Sequence, residues 1–596
     1  MQPYQRFTPI IYLCKCASPD FSPFFMKKSF TPVLLFLIAL LQPALLRSQW
    51  QYARGGGGFL PDAGNSVAID SYGSLYVGGT FNSASIVFGS FTLMNDSPGT
   101  SDIFLVKYDS SGNVIWARRE GGKGDDMLKG ISADNSGNVF ITGNFSSPSV
   151  AFDTFVYYTN YGCSRFYLAK YTGTTGTLGW VRSYDTAYNY PGCPETYSSA
   201  IATDANGFTH ISVYFVGTMV LGHDTLKTSL YDRYESLVLK YDQAGNLLRE
   251  KQIYSEPYTF VVVGSIVADA DCNIYASGIT NGHNLYAYPI SAIGAAATCS
   301  HFILKLDSSG KGRYIKKLYA DDCNNYITYP LAVGSINQVY LTGYFGNAIN
   351  SKIIFGGQTL NNYSPGTSDI FLAKYDSACN FVWAKQAGGN DQDIATSITT
   401  SKSGTVYIAG SINSATASFG TKSITNPAVT YLYFAAYDST GNALYAKTTD
   451  GYSNNTASSI AAANGNTIYL TGSFYSDSIQ FGVNHLYNPN AGTNNFFLAK
   501  YRETGVEDIP VISTEGSVKL YPNPVSAPGN LQVTLPADAG IETAVLFNNL
   551  GKCVYSVHNA GNSDKLQLNL PELPKGFYYL QLQRSAGSYF LRVIIN

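Results

Sequence analysis

Two pairs of carboxylates are the residues best placed, by type and spacing, to do chemistry: Asp125 with Asp126, and Asp391 with Asp393. A carboxylate pair can divide general acid from general base, or hold a cation. The same residues on a solvated loop need no function. The usual catalytic constellations are missing around them. The chain has 6 His, and no His-Glu-x-x-His, Gly-x-Ser-x-Gly or phosphate-loop sequence occurs. The acidic run Asp269-Ala270-Asp271-Cys272-Asn273 would need Gly at its sixth place and Glu at its twelfth to be a calcium loop. Those places hold Ile274 and Thr280. The run reads instead as a hairpin turn whose Asp caps its own backbone. Asp109, Asp242, Asp307, Asp376 and Asp438 recur at one position of a repeat. A catalytic group would be confined to one or two copies, so recurrence points to a shared turn. His210 stands where other copies carry an aromatic, and reads as core. The expectation is a protein that is not an enzyme, with no metal and no cofactor.

The elements that carry these loops follow from the repeat. One motif is Phe-Leu-x-Lys-Tyr-Asp, seen at Phe104–Asp109, with relatives centred on Tyr171, Tyr241, Leu306, Tyr375, Tyr437 and Tyr501. A second resembles Gly-Asn-Val-Tyr-Ile-x-Gly-x-Phe, with aromatic positions Tyr76, Phe140, His210, Tyr275, Tyr340, Tyr407 and Tyr469. Each motif counts seven copies. A unit divides into four short strands, a to d; in unit one these are Ser66–Asp70, Leu75–Phe81, Ile103–Asp109 and Val114–Arg119. Gly and Asn in the a–b and c–d links accept the backbone of tight hairpins. Strand c is apolar at consecutive positions, as a strand covered on both faces must be. Short, evenly spaced strands predict an all-β fold, a seven-bladed β-propeller. Composition agrees: 47 Tyr and 57 Gly favour strands and turns. With 13% charged residues, net charge −2 and no basic run, a nucleic-acid partner is excluded.

Ring closure is a further expectation. Strand d follows the pattern Trp-Ala-x-x-x-Gly-Gly, as in Trp116–Gly122 and Trp383–Gly389. Unit seven ends after strand c, while Trp50–Gly56 reads as an orphan strand d. The two should pair and remove the exposed edges. The carboxylate pairs then fall in d–a loops on one rim, with the long b–c loops. Among these, 95–102 (NDSPGTSD) and 362–369 (NYSPGTSD) read as scaffold that launches strand c. Longer ones at 155–163, 283–299 and 483–495 carry Tyr, Asn and His suited to sugar or protein contacts. Cys163 and Cys193 flank strands c and d of unit two at that rim, and Cys299 and Cys323 do so in unit four. The predicted disulfides are Cys163–Cys193 and Cys299–Cys323, each contributing roughly 3–4 kcal/mol in the chain-entropy model. Cys272 and Cys379 replace a turn Gly at the opposite rim.

The repeats, over about residues 50–505, resemble the SBBP-type propeller repeats of secreted bacterial proteins, which are similar to NHL-type blades. Phe371–Asp376 followed by Trp383-Ala384-Lys385 is a close match, and units three and four depart most. At the C-terminal end, Tyr521-Pro522-Asn523-Pro524, then Asn549-Leu550-Gly551-Lys552, then Leu573-Pro574-Lys575-Gly576-Phe577-Tyr578 occur in order. Together they resemble the type A sorting domain of the type IX secretion system, with period-two alternation that predicts a β-sandwich. In place of the family's Lys-rich last strand stands Leu591–Asn596. The resemblance implies passage through the periplasm, recognition by the type IX machinery, and release or attachment at the outer-membrane surface.

Lys27 and Lys28 precede an apolar run from Val33 to Leu46, the pattern of a signal peptide. At about 14 residues, with Pro43 inside it, the run is short for a membrane span. The domain reading is therefore 1–25 an upstream extension, 26–49 a signal peptide, 50–505 the propeller, 506–517 a linker and 518–596 the sorting domain. The expected function is a secreted or surface binding protein, a monomer, with a polysaccharide or protein ligand at the rim loops. The alternatives are a glycan hydrolase or lyase using Asp125, Asp126, Asp391 and Asp393, or a passive structural surface protein.

Overall fold

The computed structural model describes residues 49–503 and 519–596, apart from 159–162, 185, 188–194, 222–223, 229–232, 257, 294–299, 321–328, 336, 347–351, 426–429, 452–453, 536–540, 549–552, 562–564 and 585–586. The expected upstream extension, signal peptide and linker 506–517 lie outside the described residues, as do Cys193, Cys299, Cys323 and Gly551.

The fold is all-β and propeller-like. In unit one the strands Asp62–Ile69, Leu75–Phe81, Asp102–Tyr108 and Val114–Gly122 pair a-b-c-d, each antiparallel to the next. The a-b-c pairing recurs in every later unit. Every residue of Asp102–Tyr108 is buried, as is every residue of Tyr431–Tyr437. Such strands need apolar side chains on both faces, which is why the c motif does not alternate.

The a strands touch in a closed circuit. Asp62–Ile69 meets Asp126–Ala133, and the contacts run on through Thr196–Thr203, Val261–Ala268, Leu331–Val333, Asp393–Thr400 and Thr456–Ala463 back to Asp62–Ile69. A bulge in these strands aims a Ser at the neighbouring backbone. Ser66 Oγ accepts from the Ile131 amide at 3.1 Å, Ser397 Oγ from Ile460 at 3.1 Å, and Ser459 Oγ from Val67 at 3.2 Å. The last of these links unit seven to unit one. The strand Gln49–Gly56 pairs with Asn495–Arg502, Trp50 opposite Tyr501 and Gly56 opposite Phe496. The Trp50 ring packs edge-on against Phe481 and Tyr501, centroids 4.8 and 5.2 Å away.

The b–c connections hold an element that the strand count missed. Each contains a β-hairpin, such as Ser149–Phe152 with Phe155–Tyr158, or Asn284–Ala287 with Ile290–Ile293. Several add to strand d of the unit before: Val150 lies opposite Gly122, Tyr286 opposite Tyr254, and Phe419 opposite Ala387. This explains why the first d strand extends past Arg119 to Gly122. The sequence signal is Ile86-Val87-Phe88-Gly89 and its relatives Ile353–Gly356, Ala417–Gly420 and Ile479–Gly482. Gly89 has φ 60° in a two-residue turn, the geometry tight hairpins prefer.

In the C-terminal part, Lys519–Tyr521, Gly529–Thr534 and Lys565–Leu570 form one sheet. Ile541–Asn548, Cys553–Gly561, Gly576–Arg584 and Gly587–Ile595 form another. Both contribute to a single core that includes Leu531, Val533, Leu568, Leu546, Leu580 and Val593.

Candidate functional site

The second carboxylate of each predicted pair is buried. Asp126 accepts from Ser147 Oγ at 2.6 Å and from the Ser146 and Ser147 amides at 3.2 Å. Asp393 accepts from Ser414 Oγ at 2.7 Å and from the Gly389, Asn413 and Ser414 amides at 2.8–3.2 Å. Asp62 holds the same place in unit one, with Ser83 Oγ at 2.8 Å and the Gly58 amide at 2.8 Å. Burial raises all three above the usual carboxylate value, Asp126 to about 6. The hydrogen bonds work against that rise. These groups clip the b–c connection to the start of strand a. Asp125 and Asp391 are the exposed members of each pair. Asp125 accepts from the Ser101 amide at 3.0 Å, and Asp391 from the Gln392 amide at 2.7 Å. Among the described residues, no hydrogen bond or ion pair joins one pair to the other. Among the described residues, no three His, Cys, Asp or Glu side chains gather to hold a metal ion.

The recurring turn Asp is likewise spent on its own loop. Asp109 takes the Ser111 and Asn113 amides at 2.8 and 2.9 Å, and Asp269 takes Asp271 and Asn273 at 3.0 and 2.8 Å. Asn95 and Asn362 do similar work in the paired b–c loops, each accepting the amide two residues on. The loops at 155–163, 283–299 and 483–495 carry hairpin strands in their described parts, and present Tyr158, Ile293, Val483 and Tyr487 outward. Cys163 is buried; Cys272 and Cys379 are free, buried thiols at φ 61° and 59°, in the left-handed turn place that Gly fills elsewhere.

Side chains of strands c and d fasten several units to the next. Lys107 Nζ donates to Gly173 O at 2.8 Å, Lys170 to Gln243 O at 3.0 Å and Lys374 to Ser439 O at 2.8 Å. Lys500 reaches Ser110 O at 2.7 Å, from unit seven to unit one. Each of these Lys lies over the b-strand ring of its own unit, Tyr76, Phe140, Tyr340 or Tyr469, at 5.2–5.6 Å. On strand d, Trp116 and Trp180 pack on the turn glycines Gly176 and Gly245 of the next unit. A Cβ at Gly176 would lie 2.7 Å from the Trp116 ring, so only Gly fits. Two residues on, Arg118 Nε donates to Gly176 O and Arg182 Nε to Gly245 O, both at 2.7 Å.

Between units three and four this lock is absent. Arg249 stands in the Trp place, His210 in the b-strand aromatic place, and Lys251 in the Arg place. A cleft of about 430 Å³ opens there. His210 is 4% exposed and shares a hydrogen bond of 3.0 Å with Asp204. Burial holds its pKa below the usual value.

In the C-terminal part, Asn523 Oδ1 accepts the Ile594 amide at 2.8 Å, and the Val525 amide donates to Ile594 O at 2.8 Å. The Tyr-Pro-Asn-Pro opening is thereby tied to the last strand. Tyr578 is buried, and its hydroxyl donates to Pro574 O at 2.7 Å, closing the turn before Gly576. Tyr521 is 73% exposed. The family model of the secretion system C-terminal sorting domain matches residues 519–596. This segment is a sorting domain. It marks a protein exported by type IX secretion to the cell surface or beyond, and implies interaction with that machinery.

The chain is 23% identical over 464 residues to an uncharacterized WD repeat-containing protein of Acanthamoeba polyphaga mimivirus, covering 66% of this chain and 32% of that protein. It is 26% identical over 373 residues to the regulatory protein FlaEY of Caulobacter vibrioides, covering 59% and 36%. It thus spans about a third of the length of these curated relatives. Quinohemoprotein alcohol dehydrogenase from Comamonas testosteroni is similar at 10% identity over 80% of each chain, with a TM-score of 0.34.

Proposed function

We propose that this sorting domain exports a seven-bladed β-propeller, built from SBBP-type repeats and closed by Gln49–Gly56, that acts as a binding protein at the cell surface or in the medium. The sorting part is a β-sandwich that engages the type IX machinery, and the propeller is a monomer whose ligand is a polysaccharide or a protein. The observation that carries binding over hydrolysis is the state of the acids. Asp126 and Asp393 are enclosed by backbone and Ser donors, which leaves neither pair with two carboxylates free to share a proton with a substrate. The Cys163–Cys193 and Cys299–Cys323 bridges belong to the same reading, on the ground that each pair flanks strands c and d of one unit at one rim.

The test is turnover and binding of glycans by the full chain, alongside a variant with Asp125, Asp126, Asp391 and Asp393 all changed to Asn. Binding without turnover supports the reading. Turnover that the four substitutions abolish would overturn it. The passive structural alternative draws support from the hairpins that fasten unit to unit, and predicts no ligand from any glycan or protein panel.

A further inference from the structure

We propose that the cleft between units three and four binds an acidic saccharide, its carboxylate or sulfate held by Arg249, Lys251 and Lys311 and its sugar ring laid on Tyr288. The proposal rests on the binding reading above and names a ligand class and a place for it.

The argument starts from what the seam has lost. Units one and two each meet their neighbour with an indole and a guanidinium, Trp116 with Arg118 and Trp180 with Arg182. The closing strand does the same with Tyr52 and Arg54, whose Nε donates to Gly112 O at 2.9 Å. At the three/four seam the ring becomes Arg249. Its aliphatic stem passes Gly310, where a Cβ would lie 3.5 Å from Cδ. The second residue becomes Lys251, which turns away from the neighbouring c–d loop and donates to Tyr288 O at 3.0 Å. Lys240 no longer lies over its b-strand residue, but over Phe208 at 4.5 Å. Replacing two rings with a cation and an imidazole leaves open the space that Trp116 and Trp180 fill over Gly176 and Gly245.

The charge in that space is unbalanced. The acids on its walls are engaged. Asp307 accepts from Ser309 Oγ at 2.6 Å, from the Lys311 amide at 3.0 Å and from Arg313 Nε at 2.9 Å. Asp204 is occupied by His210 and by its own turn. Glu250 is raised above the usual value by burial, with Asp224 beside it. Arg249 and Lys311, both exposed, have no ion pair among the described residues. Burial lowers the Lys251 pKa against the opposing charges of Glu250 and Asp307, and Arg249 adds to the lowering. An anion placed between these cations would gain charge-assisted hydrogen bonds at low desolvation cost. Guanidinium and ammonium groups around a half-open cleft suit carboxylate and sulfate. Tyr288 is 77% exposed at the mouth, with Pro289 next to it. A flat, exposed phenol beside cations is the platform on which a sugar face packs while its acid is held.

The experiment is isothermal titration of the full chain with three probes: an oligogalacturonate, a sulfated chondroitin oligosaccharide and a neutral maltooligosaccharide. Sodium sulfate alone is the fourth arm. The acidic saccharides should bind, the neutral one should not, and affinity should fall as salt rises. The double variant Arg249→Ser with Lys311→Ser should lose at least about tenfold in affinity, since two charge-assisted contacts go. Both side chains are exposed, and an unchanged melting curve would show the fold intact; Arg249→Lys should retain part of the binding. Acidic saccharides bound equally well by the double variant would overturn the cleft and leave the binding reading standing. A neutral saccharide bound as tightly as the acidic ones would overturn the ligand class only. Sulfate bound as tightly as the saccharides would reduce the site to an inorganic anion site and overturn the proposal. No binding by any glycan or protein would overturn both readings.

Discussion

The seam between units one and two and the seam between units three and four are built from the same strands, yet one keeps an indole over the turn glycine of its neighbour and the other does not. At the first, Lys107 and Trp116 Nε1 share the carbonyl of Gly173, at 2.8 and 2.9 Å, and Arg118 grips Gly176. Ring, cation and carbonyl form one compact joint. At the second, Lys240 still ties to Ser308 O at 3.1 Å, so the backbone joint persists. The aromatic part is gone, and Arg249 lies exposed in its place. Aromatic burial is therefore not what holds the units in order. The Lys240 tie and the pairing of Tyr254 with Tyr286 persist at the open seam, so it keeps its backbone joint while it loses its ring.

The sharpest way to break this comparison is to cut both seams equally. Trp116 is 4% exposed, and Trp116→Ala should cost about 3–5 kcal/mol through lost contact and a cavity. Arg249→Ala, at the equivalent place, should change stability by no more than about 0.5 kcal/mol. Urea unfolding of the two variants would decide. Equal losses would mean that Arg249 seals its seam as Trp116 does.

The comparison can also be sharpened by converting one seam into the other. Arg249→Trp restores the ring over Gly310, and should fill the cleft and raise stability by about 0.5–2 kcal/mol. The same change should abolish binding of the acidic probes. A variant that gains stability yet still binds them would separate the cleft from the ligand.

Much of this architecture was legible in the sequence. The c motif names its own role, because a run with no polar alternation has to be covered on both faces. The pairing of Trp50 with Tyr501 followed from one strand too few at one end and one too many at the other. The turn aspartates were readable because Asx capping is local. What was not legible is non-local. Nothing near Asp126 announces that Ser146 and Ser147 will enclose it, since these are about 20 residues away across a hairpin. The b–c hairpins read as long loops because their strands have only four residues each, too few to show a period, and their two-residue contact with strand d belongs to another unit. A third motif, Ile-x-Phe-Gly, was visible but uncounted. The open seam was hidden for a related reason: Arg249 on an apparently exposed strand d is unremarkable until aligned with Trp116.

The last contrast between the two seams concerns a buried acid, and it shows only as a dependence on pH. Glu120, on strand d of unit one, is 2% exposed and accepts from the Asp153 amide of the neighbouring hairpin at 3.2 Å. Burial raises its pKa to about 7. The equivalent residue at the three/four seam is Ile253, fully buried and uncharged. A carboxyl whose pKa is raised by folding binds its proton more tightly in the folded state. Its contribution is therefore complete below the unfolded value of about 4.5 and is lost as pH rises through about 7. Glu120→Gln should be indifferent to that window. Relative to the parent it should gain up to about 3 kcal/mol between pH 4.5 and pH 8, measured by urea unfolding across that range. Substituting Ile253→Val, as the matched change at the open seam, should give a difference that does not vary with pH. If Glu120→Gln tracked the parent at every pH, the acid would titrate alike in the folded and unfolded chain, and the first seam would hold a charge above about pH 5 that burial alone does not account for.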